Sequence, residues 1–405
     1  MGLKTNVTLD FRKEPGDYLR REFPWMMDYR ILSRVLDARG AARGKRPCYH
    51  YHFELIGKGE FFVPWKEHFP SLGPFREPPL IVGAGPAGLF CALRLLEYGV
   101  PSIIIERGER MVARMRKIAR FWRKGILDSE SNLCYGEGGA GFFSDGKLTT
   151  RIKSPHLPYV LHRLVSFGAS PETAWVHNPH LGSNRMRGII TRLTDYLMAG
   201  GCRFHFNTRV EMPLVDKTGA VIGVRLKGGQ DLYSPYVVMA TGHSARDVYH
   251  SLGRIKVGMA PKDFAVGVRI EHPRKLIDLL QYGSFAGRPE LGAANYRLRF
   301  HNKKSGRGTY SFCMCAGGYV LSSGNEQDGL VINGMSNHAR NSPWSNAALV
   351  VGIQAAKDAG TGVSDVLDFQ RGIEMQAGLW AREKGNGRNL PAQTVREFMD
   401  DRDSS

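Results

Sequence analysis

The chain has 405 residues, of which 42% are apolar and 23% charged, enough for a large core in two to four domains of ~100–200 residues each, which excludes a mini-protein and a wholly disordered chain. Lys and Arg number 56 against 38 Asp and Glu, a net charge of +18, which favours an anionic partner such as nucleotide phosphate, nucleic acid or an acidic surface. No run of ~18 apolar residues occurs and the opening residues hold no signal-like stretch, so a cytoplasmic protein without a membrane span is expected.

Residues 1–76 read as a small α/β domain. Val7 to Leu9 suggests a strand, the spacing of Ile31, Leu32, Val35 and Leu36 predicts a helix over Tyr29 to Ala38, and Tyr49 to Leu55 alternates like a strand. A Pro-rich joint from Pro64 to Pro79 places a domain boundary near residue 76, because Pro rarely continues a regular element.

The strongest signal follows. Leu80-Ile81-Val82 runs into Gly83-Ala84-Gly85-Pro86-Ala87-Gly88, then a helix with Leu89, Leu93 and Leu96 on one face, then the strand Ile103-Ile104-Ile105 ending at Glu106. This βαβ unit is a dinucleotide fingerprint. Gly83 permits the tight turn, Gly85 lets the backbone approach a pyrophosphate, and Gly88 lets helix and strand pack closely, while the helix N-terminus offers unpaired N–H groups to phosphate. Glu106, placed 18 residues after Gly88, is positioned to accept hydrogen bonds from a ribose.

Between Arg107 and Lys124 lie eight cations opposed in sequence only by Glu109. Helical spacing gives Arg116, Arg120 and Arg123 one face and Arg110, Arg114 and Lys117 another. The default is a solvated face, with Arg107 and Arg114 as the cations that approach a cofactor pyrophosphate. Nucleic-acid binding is not expected, since no stacking or RNA-binding fingerprint accompanies the charge. A second glycine pattern, Gly136-Glu137-Gly138-Gly139-Ala140-Gly141, is followed by Phe142-Phe143-Ser144-Asp145-Gly146-Lys147. Neither a β-branched run before it nor an amphipathic helix after it is present, so it reads as an irregular loop able to aim N–H groups at an anion or a flavin edge.

Further on, Arg203 to Val210 reads as a strand, and Ala220 to Leu226 with Asp231 to Tyr233 reads as a hairpin. Val237 to Met239 is an apolar strand closed by Ala240-Thr241-Gly242, and the small residues Thr241 and Gly242 let the chain approach a cofactor. Asn346 to Ala356 looks helical, and a Gly-rich stretch from Lys384 to Asn389 leads to a charged end. The six cysteines, Cys48, Cys91, Cys134, Cys202, Cys313 and Cys315, form no Cys-x-x-Cys and no zinc pattern, so no metal site and no disulfide reductase is expected. Cys313 and Cys315 read as small residues of a packed strand.

Taken together, the fingerprint, Glu106-Arg107-Gly108 and Ala240-Thr241-Gly242 resemble the two-domain FAD-dependent oxidoreductases. The sequence is more narrowly similar to the bacterial and plastid FAD-dependent dehydrogenase family through Ser131-Asn132, Gly136 to Gly141, Phe143 to Leu148, Asn178-Pro179-His180-Leu181-Gly182, Ala240 to Asp247, Phe312 to Gly318 and Asn333-Gly334-Met335-Ser336. Ala316 stands where that family's Met-Cys-Pro-Gly-Gly segment has Pro. The resemblance implies FAD as cofactor. Gly83, Gly85, Pro86, Ala87, Gly88 and Glu106 would hold its adenosine half, Val210 would lie near the adenine, and the loop carrying Gly138, Gly139, Gly141, Ser144, Asp145, Gly146 and Lys147 would lie near the flavin.

The implied fold is α/β: a Rossmann-like FAD-binding domain at 77–254 with a β-meander, an inserted α+β substrate domain at 255–355, the small N-terminal α/β domain, and a helical segment at 356–405. The family's third return to the nucleotide domain, a strand followed by Gly and an acid, is not seen, so the chain is either truncated or a natural short form with an incomplete cofactor site. The expected function is hydride transfer between flavin and a small organic substrate, with NAD(P)H or another electron donor as partner and Lys147, His243 and Cys315 as catalytic candidates. The alternative is a nucleotide-binding protein without catalysis whose basic surface meets nucleic acid or an acidic partner.

Overall fold

In the computed structural model, which describes residues 2–63, 69–70, 72–73, 75–148, 153–384 and 390–402, alternating apolar residues set up the first sheet. Strand β1 (Leu3–Asp10), helix α1 (Pro15–Glu22), β2 (Asp28–Asp37) and β3 (Cys48–Ile56) form an antiparallel sheet of order β1-β3-β2. Val7, Leu9, Phe53 and Leu55 bury one face beneath Leu19 of α1. The segment predicted as a helix over Tyr29 to Ala38 is therefore the strand β2. Its helix-like spacing has a physical cause: Ile31 pairs with Phe53 and Ser33 with His52, so Leu32 is an extra, bulged residue. The bulge puts Tyr29, Ile31, Arg34 and Leu36 opposite Leu55, Phe53, Tyr51 and Tyr49, which turns a period of two into steps of two and three. The Pro-rich joint at Pro64 and Pro74 and the glycine-rich stretch at 385–389 lie outside the described residues.

The nucleotide sheet is built from very short strands, and all but its edge strand at Arg203–His205 are apolar at every residue. Strands β4 (Leu80–Val82) and β5 (Ile103–Ile105) flank helix α2 (Pro86–Glu97), and helices α3 (Met111–Lys124), α4 (Leu157–Ser166) and α5 (Gly182–Ala199) lead to β6 (Arg203–His205). A meander of β7 (Val210–Val215), β8 (Val221–Leu226) and β9 (Asp231–Tyr233) feeds β10 (Val237–Met239), and the parallel sheet has the order β10-β4-β5-β6. Strands covered on both faces need apolar residues on both. Ile81 and Ile104 face Leu89, Leu93, Ile190, Leu193 and Leu197 of α2 and α5, while Leu80, Val82, Ile103 and Ile105 face Val210, Val224 and Leu226 of the meander. The result is a Rossmann-like core of three layers. Val210 opens β7 rather than ending a strand begun at Arg203, because the chain turns between them with Asn207 in the left-handed region.

After helix α6 (Arg246–Arg254), strand β11 (Phe264–Pro273), helix α7 (Arg274–Tyr282), β12 (Arg299–Asn302), β13 (Arg307–Cys315), the β14 (Tyr319–Ser322) and β15 (Ile332–Met335) pair, and β16 (Trp344–Ile353) form the second large unit. Its main sheet has the order β11-β16-β13-β12. Asn346 to Ala356 is thus mainly a central strand. Ala347, Ala348, Leu349, Val350 and Val351 are in register with both β11 and β13 over most of their length, and the long-range pairing overrides a local pattern that fits either state. Helix α7 packs on this sheet through Ile277 and Tyr282, in a core that also takes in Phe11, Leu36 and Tyr49 of the N-terminal sheet. The chain ends in α8 (Ala355–Asp358), α9 (Val363–Glu383) and α10 (Val395–Met399), and Arg246 ties α6 to Glu326 at 2.6 Å and to Glu374 of α9 at 2.7 Å. Among the described residues no helix is long and apolar enough to cross a membrane.

Two glycines set how closely α2 approaches the sheet. Gly83 has φ +110° and a Cβ there would run into the Ala240 carbonyl; a Cβ on Gly88 would run into that of Gly83. At Gly85 the only atom of the described residues near an added Cβ is Gly139 Cα, at 3.9 Å. Gly88→Ala is expected to lower stability by about 2 kcal/mol or more, because backbone must move, whereas Gly85→Ala stays within about 0.5 kcal/mol of the parent. Urea unfolding of the two variants measures this, and equal losses would contradict the packing described.

Candidate functional site

A cleft of about 650 Å³ opens where the carboxyl ends of β4, β5 and β10 meet the N-terminus of α2. Parallel sheets place ligands at this end of the strands. Of the residues singled out from sequence, Gly83, Gly85, Pro86, Ala87, Glu106, Arg107, Gly139, Gly141, Val210, Thr241, Gly242 and His243 line it. Gly85 is the N-cap and Pro86 the first residue of α2, so the N–H groups of the first turn face the cleft without intrahelical partners. Cys134, Tyr135, Thr208, Arg209 and Asp247 also line it. Sequence reasoning gave these no role, and for Arg209 and Thr208 the signal was only their position just before Val210.

Glu106 is buried and holds three segments at once. Its Oε1 accepts the backbone N–H of Gly108 at 2.9 Å and of Gly136 at 2.8 Å, and its Oε2 accepts that of Ala84 at 2.8 Å. A carboxylate offers about four lone-pair directions, so one direction on Oε2 is left for a ribose hydroxyl. The second glycine loop is pinned again where Gly138 donates to the Ala84 carbonyl at 2.7 Å. Glu137 of that loop accepts the Met111 N–H at 2.7 Å, which supplies the negative charge missing from the first turn of α3.

Arg114 does not reach the cleft. Its guanidinium is fully buried and donates to the carbonyls of Asn132, Leu133, Glu137 and Gly139 at 2.6–3.0 Å, so it shapes the glycine loop from beneath. Burial pulls its pKa down to about 10, with Glu106 and Glu137 opposing the fall. Arg107 lines the cleft with its charge already engaged by Glu130 at 2.8 Å and Asp247 at 3.2 Å, and it stacks over Tyr135 at 4.2 Å. The cations opposed in sequence only by Glu109 meet acids from elsewhere in space: Lys117 pairs with Glu109 and Asp128, and Arg110 with Asp195. Arg116, Arg120 and Arg123 are exposed.

Gly88 and Gly138 serve packing and loop closure rather than the cleft wall, and Ser144, Asp145, Gly146 and Lys147 leave the cleft for a second polar cluster. Lys147 bridges His180 as an isolated antiparallel pair, with Leu148 donating to the Pro179 carbonyl and Leu181 to that of Gly146. This lays His180 beside Asp145. The Ser336 hydroxyl donates to Asp145 Oδ1 at 2.5 Å, and His180 Nε2 lies 3.1 Å from Ser336 Oγ and 3.4 Å from Asp145 Oδ2. Since Ser336 gives its proton to Asp145, the proton between Ser336 and His180 belongs on Nε2. Lys147 and Arg340 stand 3.4 and 3.7 Å from Asp145 Oδ2. Burial raises the Asp145 pKa, and His180, Lys147 and Arg340 outweigh it, holding the group well below the usual carboxylate range.

The three catalytic candidates are not brought together. His243 is on the cleft beside Ser244, whereas Lys147 and Cys315 belong to the second cluster. Among the described residues Asp37, Cys48 and His50 bring three ligand-type atoms near one another, and the Asp37 carboxylate there is gripped by Arg39 at 2.8 and 3.0 Å.

Residues 77–119 match the family described as FAD binding domain, and residues 263–405 match the family described as FAD-dependent protein, C-terminal domain-like. An uncharacterized protein of Clostridium beijerinckii is 41% identical over 327 residues, covering 81% of this chain and 60% of its own length, so the chain spans about 60% of the relative it matches. Among solved structures, the halogenase PltM is 14% identical with a TM-score of 0.37, over 74% of this chain and 55% of the halogenase. An L-amino acid deaminase from Proteus vulgaris is 14% identical with a TM-score of 0.32, over 52% of this chain and 63% of the deaminase. Structural likeness of this degree bears on neither substrate nor reaction. The two family matches identify FAD as the cofactor.

Glu106→Ala removes the acceptor of three buried N–H groups, each worth about 1–3 kcal/mol when orphaned. The FAD-free variant is expected to lose at least about 3 kcal/mol in urea, and an unchanged midpoint would show that the carboxylate does not organise the loops. For Asp145 the folded pKa lies below the unfolded value of ~3.9, so its stabilisation is present above about pH 4 and lost as pH falls further. Asp145→Asn is expected to cost about 3 kcal/mol at pH 7, with the gap to the parent narrowing below pH 4 in urea titrations at several pH values.

Proposed function

We propose that this FAD-dependent flavoprotein acts as an oxidoreductase, passing hydride between the flavin and a small organic substrate, with the cofactor laid along the cleft from Val210 to Gly141. The observation that carries the reading is the open face of Gly85. A phosphate can settle against backbone there, at the N-terminus of α2, and any side chain would occupy that space.

The rest of the donor set suits a dinucleotide. Glu106 keeps one lone pair for a ribose hydroxyl, Val210 offers an apolar wall at the far end, and Thr241 with Gly242 presents small residues where the chain must pass close to the ligand. FAD, when bound, supplies the two-electron acceptor and donor. The chain's own residues position it, and the Asp145, Lys147 and His180 cluster offers a substrate a fixed cation and a proton held at His180 Nε2. NAD(P)H or another donor would return electrons to the flavin. The reading of a nucleotide-binding protein without catalysis has less to support it, since Arg107, Arg110 and Lys117 of the basic segment are paired with acids of the same chain and Arg114 is buried.

The test is retention of the cofactor. The purified chain is expected to be yellow and to release FAD on denaturation, and Gly85→Val to lose FAD while unfolding at a midpoint close to that of the FAD-free parent. A colourless parent that takes up no added FAD, or a Gly85→Val protein that keeps its FAD, would overturn the proposal.

A further inference from the structure

We propose that Cys313 and Cys315 are a redox-active dithiol, closing to an intrachain disulfide by exchange with a small disulfide substrate; this role does not rest on the flavin reaction. The pair lies on a strand that is not regular. Phe312 pairs with Ala348 and Cys315 with Asn346, so three steps along β13 oppose two along β16. Cys313 sits within this bulge at φ +46°, in the left-handed region that non-glycine residues rarely occupy. In a flat strand, residues i and i+2 are roughly 6.7 Å apart, at the upper edge of the roughly 4.4–6.8 Å between Cα atoms that a disulfide tolerates. The pair therefore falls within that range at its upper edge, and the irregular pairing frees Cys313 from the regular ladder.

The surroundings favour the reduced pair poised for attack. Cys315 is fully buried and Cys313 partly exposed; both are free thiols. The Cys315 thiol donates to the Cys313 carbonyl oxygen at 3.6 Å. The neighbouring Cys315 thiol pulls the Cys313 thiol down to about 6; burial opposes the fall, and Lys147 and Arg269 add to it. The same pairing, together with burial, pushes Cys315 up. Arg269 also donates to the Cys313 carbonyl at 3.4 Å and to Asn346 and Asn333. Room for the group comes from Gly334 of the facing strand, where any side chain would collide with Cys315 Sγ, Arg269 and Asn346.

The exchange balances without a further reagent. The Cys313 thiolate attacks one sulfur of the substrate disulfide, forming a mixed disulfide and expelling one thiolate. Cys315 then gives up its proton and attacks Cys313 Sγ, expelling the second thiolate. The two released sulfurs carry one proton between them, the substrate disulfide is reduced by two electrons, and the dithiol is oxidised by two.

Oxidised glutathione is the probe, with N-ethylmaleimide blocking of free thiols and peptide mass spectrometry as readout on the full chain. The parent is expected to yield a peptide lacking two hydrogens and linking Cys313 to Cys315, with no lasting glutathione on either. Cys315→Ser is expected to trap glutathione on Cys313, and Cys313→Ser to carry none on Cys315. The link is expected equally in the FAD-free Gly85→Val protein, which separates this role from the flavin reading. A parent in which both cysteines stay blockable as free thiols, or a Cys315→Ser protein without the adduct, would overturn the proposal.

Discussion

The carboxylate of Glu106 is the point from which the nucleotide end of this molecule is laid out. It closes β5, receives the N–H of Ala84 from the first glycine turn, and receives those of Gly108 and Gly136 from the chain that follows. Remove it and three buried donors face no acceptor, a penalty comparable to a sizeable share of a domain's whole stability. Arg114 is its counterpart from below, satisfying carbonyls of the segment from Asn132 to Gly139. One acceptor and one donor, both buried, thus tie the first glycine turn to the segment that leads into the second. The open face of Gly85 opposite Gly139 is the consequence.

How much of this was legible in the sequence depended on how local the determining contacts are. The fingerprint at Gly83 to Gly88 could be read because turn, helix start and strand lie within thirty residues, although only Gly88 answers a backbone close in the chain, whereas Gly83 meets Ala240 and Gly85 faces Gly139. The strand β2 could not, since the bulge at Leu32 is visible only once Ser33 is seen to pair with His52. The strand β16 was hidden for a related reason: an alanine- and valine-rich run fits either state until β11 and β13 flank it. The loop from Gly136 to Lys147 was legible as neither strand nor amphipathic α-helix, but not as carrying a short 3-10 helix over Gly139–Phe143, nor as two parts with separate tasks. Its glycine half stays with Glu106 and Arg114, while Asp145 and Lys147 are claimed by His180, Ser336 and Arg340 from distant segments.

Charge tells the same story. Internal pairing leaves the surplus of +18 unchanged, but it takes up particular cations: Arg107, Arg110, Lys117 and Arg246 meet acids from other segments. Some of these contacts build the site: Arg107 and Arg209 fix Glu130 and Asp247 beside the cleft, and Lys147 and Arg340 hold Asp145 in a buried polar cluster. That cluster adjoins the bulged end of β13, where Lys147 and Arg269 face Cys313. A backbone strained at Cys313, beside cations contributed by two different units of the fold, is a combination found where structure serves chemistry rather than stability.

Glu106 organises both glycine loops and still has one lone pair to offer, and a crystal structure of the FAD-loaded chain tests this most directly. The pyrophosphate is expected against Gly85 and the first turn of α2, with a ribose hydroxyl within hydrogen-bond reach of Glu106 Oε2 and the bonds to Ala84, Gly108 and Gly136 unbroken. A cofactor seated elsewhere, or a Glu106 carboxylate that must abandon those backbone donors to meet the ribose, would contradict it.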